Sequence, residues 1–287
     1  MQPPIHILAA TGRTGITLAR TLIAAGRPIV PIVRDLDKWH RLGLPGDARQ
    51  ADLMDLALLR IALRDAARIV SCAHGRHTKA IVASAPPDAQ LVLLGSTRKF
   101  TRWPDDHGNG VLDGEAVLLA SGRRGVMLHP TMIYGATGEN NVQRLAALLR
   151  RLPFLPLPGG GKALVQPIHQ DDVTRCIVAA LDRYWDGPST LIIAGGSAHP
   201  YVDFVRAIAR AAGLAPPRIM PFPAAPLIAA AGLTRFLPLL PTVEPAEIRR
   251  LLEDKAFDTG PMRQTLGIDP ITLDEGLART FGTPQQS

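Results

Sequence analysis

The chain has 287 residues, enough for a large domain with an appendage and for a core that needs no disulfide or metal staple. Hydrophobic residues make up 46% and charged residues 20%, which excludes a disordered tail protein. The net charge is +7, but the basic residues (five Lys and 27 Arg) are scattered and only 5% of the chain is aromatic, so no nucleic-acid partner is expected.

The predicted elements alternate. Ile5–Ala10 reads as a short buried strand and Gly12–Ala25 as a helix closed by Gly26. Strands follow at Pro28–Val33 and Ala48–Ala51, with a helix near Asp37–Leu42 between them. Asp55–Asp65 is helical, Arg68–Ala73 a strand, Thr78–Ser84 a helix, Gln90–Leu94 a strand, Glu115–Ser121 a helix and Val126–His129 a strand. Asp105–Gly110 reads as a polar loop carrying a surface His107. Strands apolar on both faces, alternating with helices, predict an α/β fold with a doubly wound parallel sheet.

Past residue 135 the texture changes. Asn141–Arg151 is an amphipathic helix, and Pro153–Pro167 is rich in Pro and Gly. Gly159-Gly160-Gly161-Lys162 lacks phosphate-loop spacing and reads as a hairpin beside a substrate cleft. Asp172–Leu181 is a helix for which Asp171 or Asp172 is the expected N-cap, Thr190–Ala194 is a strand, and Tyr201–Ala212 is a helix ending at Gly213. Pro-punctuated helices are expected after that. The long uncharged stretch between Arg218 and Arg235 is too short to span a bilayer and is broken by Pro221, Pro223 and Pro226. Residues 1–135, with 165–195 returning to them, are expected to form a dinucleotide-binding domain, and 136–164 with 196–287 a smaller, mostly helical substrate domain.

Chemistry concentrates at the first turn. The strand runs into Ala9-Ala10-Thr11-Gly12-Arg13-Thr14-Gly15, and a helix follows at once. Gly12 lets the backbone approach a pyrophosphate, Gly15 lets helix and strand pack closely, and the first-turn N–H groups bind the anion. About 20 residues on, Arg34 stands at the second strand's tip, with Asp35 beside it. An acid there suits the ribose diol of NAD(H), whereas a guanidinium suits the 2′-phosphate of NADP(H). With Arg13 nearby, NADP(H) is favoured over NAD(H).

These residues resemble the GATGxxG turn of the atypical and extended short-chain dehydrogenase/reductases, including NmrA-like proteins, with Ala9 in place of the first Gly. His129-Pro130-Thr131-Met132-Ile133-Tyr134-Gly135 resembles their RPxxxYG segment, Gln166–Val173 their HVDDV segment, and Gly267-Ile268-Asp269-Pro270 their LGFxP stretch. The resemblance implies a Rossmann fold with a small C-terminal substrate domain. It also implies that Ala10 to Gly15 line the cofactor, that Asp52 and Leu53 flank its adenine, and that Ala73, His74 and Gly75 line its ribose edge. Gly95, Ser96, Pro130, Thr131 and Ile133 would face or back the nicotinamide. Asp52 could equally cap a helix, and Gly75 simply turn the chain.

The family's reductases use a Tyr, a Lys four residues on, and a Ser. Ser96 matches the Ser, but no Tyr lies between Ser96 and Glu115, and the best register puts His107 and Val111 at the Tyr and Lys positions. Lys99, Tyr134 and His107 are the candidate substitutes. No His or Cys pair has metal-ligand spacing, so no metal is expected. Cys72 and Cys176 lie in apolar runs, and no signal-peptide pattern opens the chain, so reduced thiols and a cytoplasmic location are expected. Two classes of function stay open. One is an NADP(H)-dependent oxidoreductase or nucleotide-sugar epimerase-type enzyme with unusual acid catalysis, working on a small molecule as a monomer or a homodimer. The other is a non-catalytic dinucleotide sensor or structural accessory subunit.

Overall fold

A computed structural model describes residues 3–135, 141–152, 154–231 and 245–282. The chain opens with β1 (Ile5–Leu8), α1 (Arg13–Ala24), β2 (Ile29–Val33), α2 (Leu36–His40), β3 (Arg49–Gln50) and α3 (Leu56–Leu63). Next come β4 (Arg68–Ser71), α4 (Thr78–Ser84), β5 (Gln90–Leu94), α5 (Asp106–Ala120) and β6 (Gly125–Pro130). They are followed by β7 (Ile133–Tyr134), α6 (Asn141–Arg151), β8 (Phe154–Pro158), β9 (Leu164–Val165), β10 (Ile168–His169) and α7 (Gln170–Asp182). The chain continues through β11 (Pro188–Ile193), β12 (His199–Pro200), α8 (Tyr201–Ala211), β13 (Arg218–Phe222) and α9 (Ala224–Ala231). It closes with α10 (Pro245–Arg250), α11 (Gly260–Leu266) and α12 (Leu273–Phe281).

The main sheet has seven parallel strands in the order β11-β6-β5-β4-β1-β2-β3. Its central strands are buried on both faces because helices cover both sides. One layer packs Leu18 and Leu22 of α1 with Ile177 and Ala180 of α7; the other packs Leu59 and Leu63 of α3 with Ile81 and Leu118. Strand order runs outward one way from β1 and the other way from β4, so the two form the switch point where such sheets hold ligands. Pro31 is tolerated inside β2 because β3 pairs only with Ile32 and Val33, leaving the outer edge beside Pro31 without a ladder partner.

The smaller body is less helical than expected. Parallel β8 and β13 form a two-stranded sheet where the sequence suggests only Pro-punctuated helices. The triple glycine is a tight turn with left-handed φ at all three residues, and the strands around it pair elsewhere: β8 with β13 and β9 with β12. The expected hairpin therefore does not form, since a five-residue apolar strand finds a longer partner in β13. Tyr134, Val142, Phe204, Ile208 and Leu277 make a separate small core.

The expected cap of α7 is corrected as well. His169 is the N-cap, its Nδ1 accepting from the Asp171 N–H at 3.2 Å. Asp172 is instead 1% exposed and ties α7 to the C-terminal segment, accepting from Arg175 (2.7 Å) and from the Ile271 N–H (2.9 Å).

The Asp105–Gly110 loop is also a correction, because α5 begins at Asp106. Asp105 caps it by accepting from the Gly108 N–H at 2.8 Å. The glycines that disfavour a helix locally let it lie against the Gly75 backbone. A Cβ on Gly114 would fall 2.1 Å from the Gly75 oxygen, so tertiary packing overrides propensity here.

Candidate functional site

At the switch point, β1 passes through a tight turn into α1. Gly12 is the N-cap, no side chain caps the helix, and the Gly12 N–H itself donates to the Ala9 carbonyl at 2.9 Å. The first-turn N–H groups thus lack a side-chain acceptor, as an anion-binding helix start requires. A Cβ on Gly15 would lie 2.4 Å from the Ala9 oxygen, so only glycine lets α1 sit this close to β1. Ala9, standing where the resembled turn has Gly, keeps a left-handed φ of +57°. An L residue there is strained by about 1 kcal/mol. Ala9→Gly is therefore expected to raise the unfolding free energy by about that amount, seen as a higher urea midpoint at unchanged slope; an unchanged or lower midpoint would contradict the strain.

The other proposed cofactor residues lie at the same sheet edge. Arg34 and Arg13 are exposed. The Asp35 carboxylate caps α2, accepting from the Lys38 N–H at 2.9 Å, which occupies the acid that would pair with a ribose diol. Asp52 does not cap α3; it accepts from the Met54 N–H, and Asp55 is the cap. Leu53 packs partly buried on the second layer. Ala10 is fully buried, and Thr14 reaches Gln170 of α7 at 3.5 Å. After β4, Ala73 is half-buried and Gly75 buried.

His74 caps the 3₁₀ turn that follows, its Nδ1 accepting from the Arg76 N–H at 3.1 Å. That acceptor role places the ring proton on Nε2, which is buried without a hydrogen-bond partner. His107 is not a surface histidine: it is half-buried on the first turn of α5, edge-on to His74 with ring centroids 4.1 Å apart.

Beyond β5 the chain carries Ser96 and Lys99. Ser96 caps the Thr97–Phe100 3₁₀ turn through its hydroxyl oxygen, which accepts from the Arg98 N–H at 3.1 Å. Its own N–H donates to His129 Nδ1 at 3.3 Å. The opposite ring nitrogen, Nε2, lies 3.2 Å from Glu115, which also holds the Lys99 ammonium. Lys99, Glu115 and His129 form a buried network, with side chains 8%, 16% and 1% exposed. The sequence reading missed Glu115 and His129. The substitution of His for Arg in the resembled segment was the available signal, and Gly95 supports it, since a Cβ there would lie 2.3 Å from His129 Nδ1. Arg98 is paired with Asp105, which ties the Ser96 turn to the start of α5.

Tyr134 sits elsewhere. It is 2% exposed, packs edge-on to His169, and has its hydroxyl against Gly276 of α12. Burial raises its pKa well above the ordinary phenol range. Val111, at the position of the family's Lys, is 1% exposed against Gly75. Pro130 ends β6, Thr131 is 6% exposed with no partner for its hydroxyl, and Ile133 is half-buried. Cys176 is buried and Cys72 half-buried; both are free thiols, pushed up to about 12 by burial.

Burial, with Lys99 adding to it, lowers His129 to about 4, and burial with His107 beside it lowers His74 to about 4. Both stay neutral in the folded protein until well below 6.5, the ordinary value that they regain on unfolding. Between those limits the unfolded chain binds more protons, so stability is present above about pH 6.5 and is lost as pH falls towards 4. Melting curves from pH 7.5 to 4.5 should show a falling midpoint, and a shallower fall in His129→Gln. A flat profile would place His129 in a solvated setting.

A cavity of about 450 Å³ opens beside this edge, between Thr97 and Thr131 and the smaller body. Among the described residues, no group of three His, Cys, Asp or Glu side chains could hold a metal, and no helix is long and apolar enough to cross a membrane.

No family model matches the chain, and no curated protein matches it. Solved structures do. A nucleoside-diphosphate-sugar epimerase from Staphylococcus aureus is 16% identical with a TM-score of 0.72, over 96% of this chain and 99% of that one. A nucleoside-diphosphate-sugar epimerase from Pseudomonas aeruginosa is 20% identical with a TM-score of 0.70, over 98% and 96%. A UDP-glucuronic acid 4-epimerase from Bacillus cereus, solved with UDP-glucuronic acid and NAD, is 14% identical with a TM-score of 0.71, over 97% and 98%. Over nearly its whole length, this chain shares the Rossmann-type fold of these nucleotide-sugar epimerases.

Proposed function

We propose that the protein is a dinucleotide-dependent oxidoreductase or epimerase-type enzyme. The observation that carries this reading is the uncapped glycine turn at the sheet's switch point, where Gly15 has no room for a Cβ. Residues 10 to 15 would hold the pyrophosphate. The cofactor, when bound, gives or takes a hydride at the substrate carbon.

The chain's own groups then manage the substrate oxygen. The Ser96 hydroxyl proton is free to donate, because its oxygen is the acceptor in the bond to the Arg98 N–H. His107 replaces the missing Tyr: burial and the neighbouring Arg98 lower its pKa, leaving a neutral ring able to accept the alcohol proton as the carbon is oxidised. Lys99, held by Glu115, positions the Ser96 turn through His129 rather than touching substrate. Tyr134 is assigned a packing role.

NADP(H) is the preferred cofactor in this reading, because Arg13 and Arg34 are exposed and Asp35 is engaged as a cap. Fluorescence titration with NADPH and NADH tests it. Arg34→Ala should weaken NADPH about tenfold and leave NADH unchanged, the cost of one charge-assisted contact. Failure to bind either nucleotide would remove the cofactor assignment; NADH binding more tightly, with Arg34→Ala silent, would reverse the preference. The buried Val111 at the Lys position favours a second reading, a dinucleotide sensor. Tight cofactor binding without turnover on any carbonyl or alcohol would select it, whereas turnover falling about a hundredfold in Ser96→Ala supports the enzyme.

A further inference from the structure

The cavity beside the site is built for hydrocarbon. Leu145 and Leu148 line it from one face of α6 and Leu152 from just past its end, Leu155 and Leu157 from alternate positions of β8, and Leu251 from beyond α10. Its polar groups are mostly spent. Gln166 uses both ends of its amide, donating to the Gly195 carbonyl and accepting from the Phe257 N–H, each at 2.7 Å. The Thr97 hydroxyl donates to the Pro130 carbonyl at 3.2 Å.

Two of the three cations that line the cavity already face carboxylates of the protein. Arg250 lies 4.0 Å from Asp105, and Lys255 donates to the Arg250 carbonyl and lies 3.9 Å from Glu253. Arg144 and Glu247 add one charge of each sign. A diphosphate placed here would have to break those pairs and desolvate two charges against leucine walls, which is costly. One residue points the other way: Thr131 lines the cavity at its sheet end, is 6% exposed, and its buried hydroxyl has no hydrogen-bond partner. A hydroxyl without a partner at the sheet end of an apolar cavity suits one oxygen on a hydrocarbon body.

The geometry points to a substrate that is a small alcohol or ketone on an aliphatic body, rather than a nucleotide sugar. Its oxygen sits at the Thr131 end and its hydrocarbon against α6 and β8. The inference rests on the dinucleotide-enzyme reading for its reaction but not for its binding.

Calorimetric titration of the full chain with 2-hexanone, 2-octanone and 2-decanone, and with UDP-glucose, tests it. Affinity should rise about fourfold per methylene along the ketone series, the value of one buried CH₂. UDP-glucose should give no binding heat. Leu148→Glu and Leu152→Glu, both at half-buried positions, should each weaken 2-decanone at least tenfold while melting like the wild type. An affinity independent of chain length, or UDP-glucose binding more tightly than 2-decanone, overturns the assignment. NADPH titration of the same samples separates the two readings. Lost NADPH binding with an intact ketone series overturns the cofactor reading alone. Intact NADPH binding with a UDP-glucose preference overturns the hydrocarbon substrate alone.

Discussion

Glu115→Leu is expected to destabilise the protein by about 3–5 kcal/mol, because it strands the Lys99 ammonium in the interior. Lys99 has an 8% exposed side chain and touches Glu115, the nearby His129 and the ring of Phe100. Neutral His129 carries no charge that could take over the role of Glu115. The test is the double variant. Removing both charges with Lys99→Met and Glu115→Leu should recover most of the loss, since a buried pair replaced by well-packed apolar groups is close to neutral. Urea unfolding of the two single variants and the double one measures it. A Glu115→Leu loss below about 1 kcal/mol would mean that Lys99 reaches water and the network is not a buried one.

Gly15→Val should abolish dinucleotide binding and cost about 3 kcal/mol of stability. Its Cβ would lie 2.4 Å from the Ala9 oxygen and 2.8 Å from Ala10 Cα, both backbone atoms that cannot rotate away. α1 would have to lift from β1, carrying the first-turn N–H groups out of reach of a phosphate. Gly12→Ala is the milder control: its Cβ would meet only the Ala9 oxygen, at 3.2 Å, and its φ of −78° is open to any residue. NADH titration and thermal melts of the two variants should separate by more than tenfold in affinity and by several degrees. Equal behaviour of the two would show that the close contact at Gly15 does not support the site.

The parallel sheet was legible in the sequence because its strands are apolar on both faces and each signals itself within a few residues. Ile5–Leu8, Gln90–Leu94 and Gly125–Pro130 needed no distant information. The glycine turn was legible for the same reason, since strand, tight turn and helix start are neighbours in the chain.

The errors occurred where distant segments decide local structure. Asp106–Gly110 is helical because Asp105 caps it and its glycines fit against distant residues, Gly108 against the Arg98 carbonyl and Gly110 against His74 and Arg76. Residues 218–222 form a strand only because β8, more than sixty residues earlier, offers an edge. His169, not Asp171, caps α7 because the chain arrives through β10, which places the imidazole against the Asp171 N–H.

By itself, then, the sequence determined the doubly wound sheet, the glycine turn between β1 and α1, and the absence of the usual Tyr–Lys pair between Ser96 and Glu115. Those features follow from short-range periodicity and steric demand, which are written residue by residue. Only the tertiary structure decided that Lys99 is held by Glu115 beside His129, that His107 faces His74, and that the adjoining cavity is walled by leucines. Those groups come from separate strands and helices. Their burial, their charge pairing and their titration exist only once the sheet has brought its strand ends to a common edge.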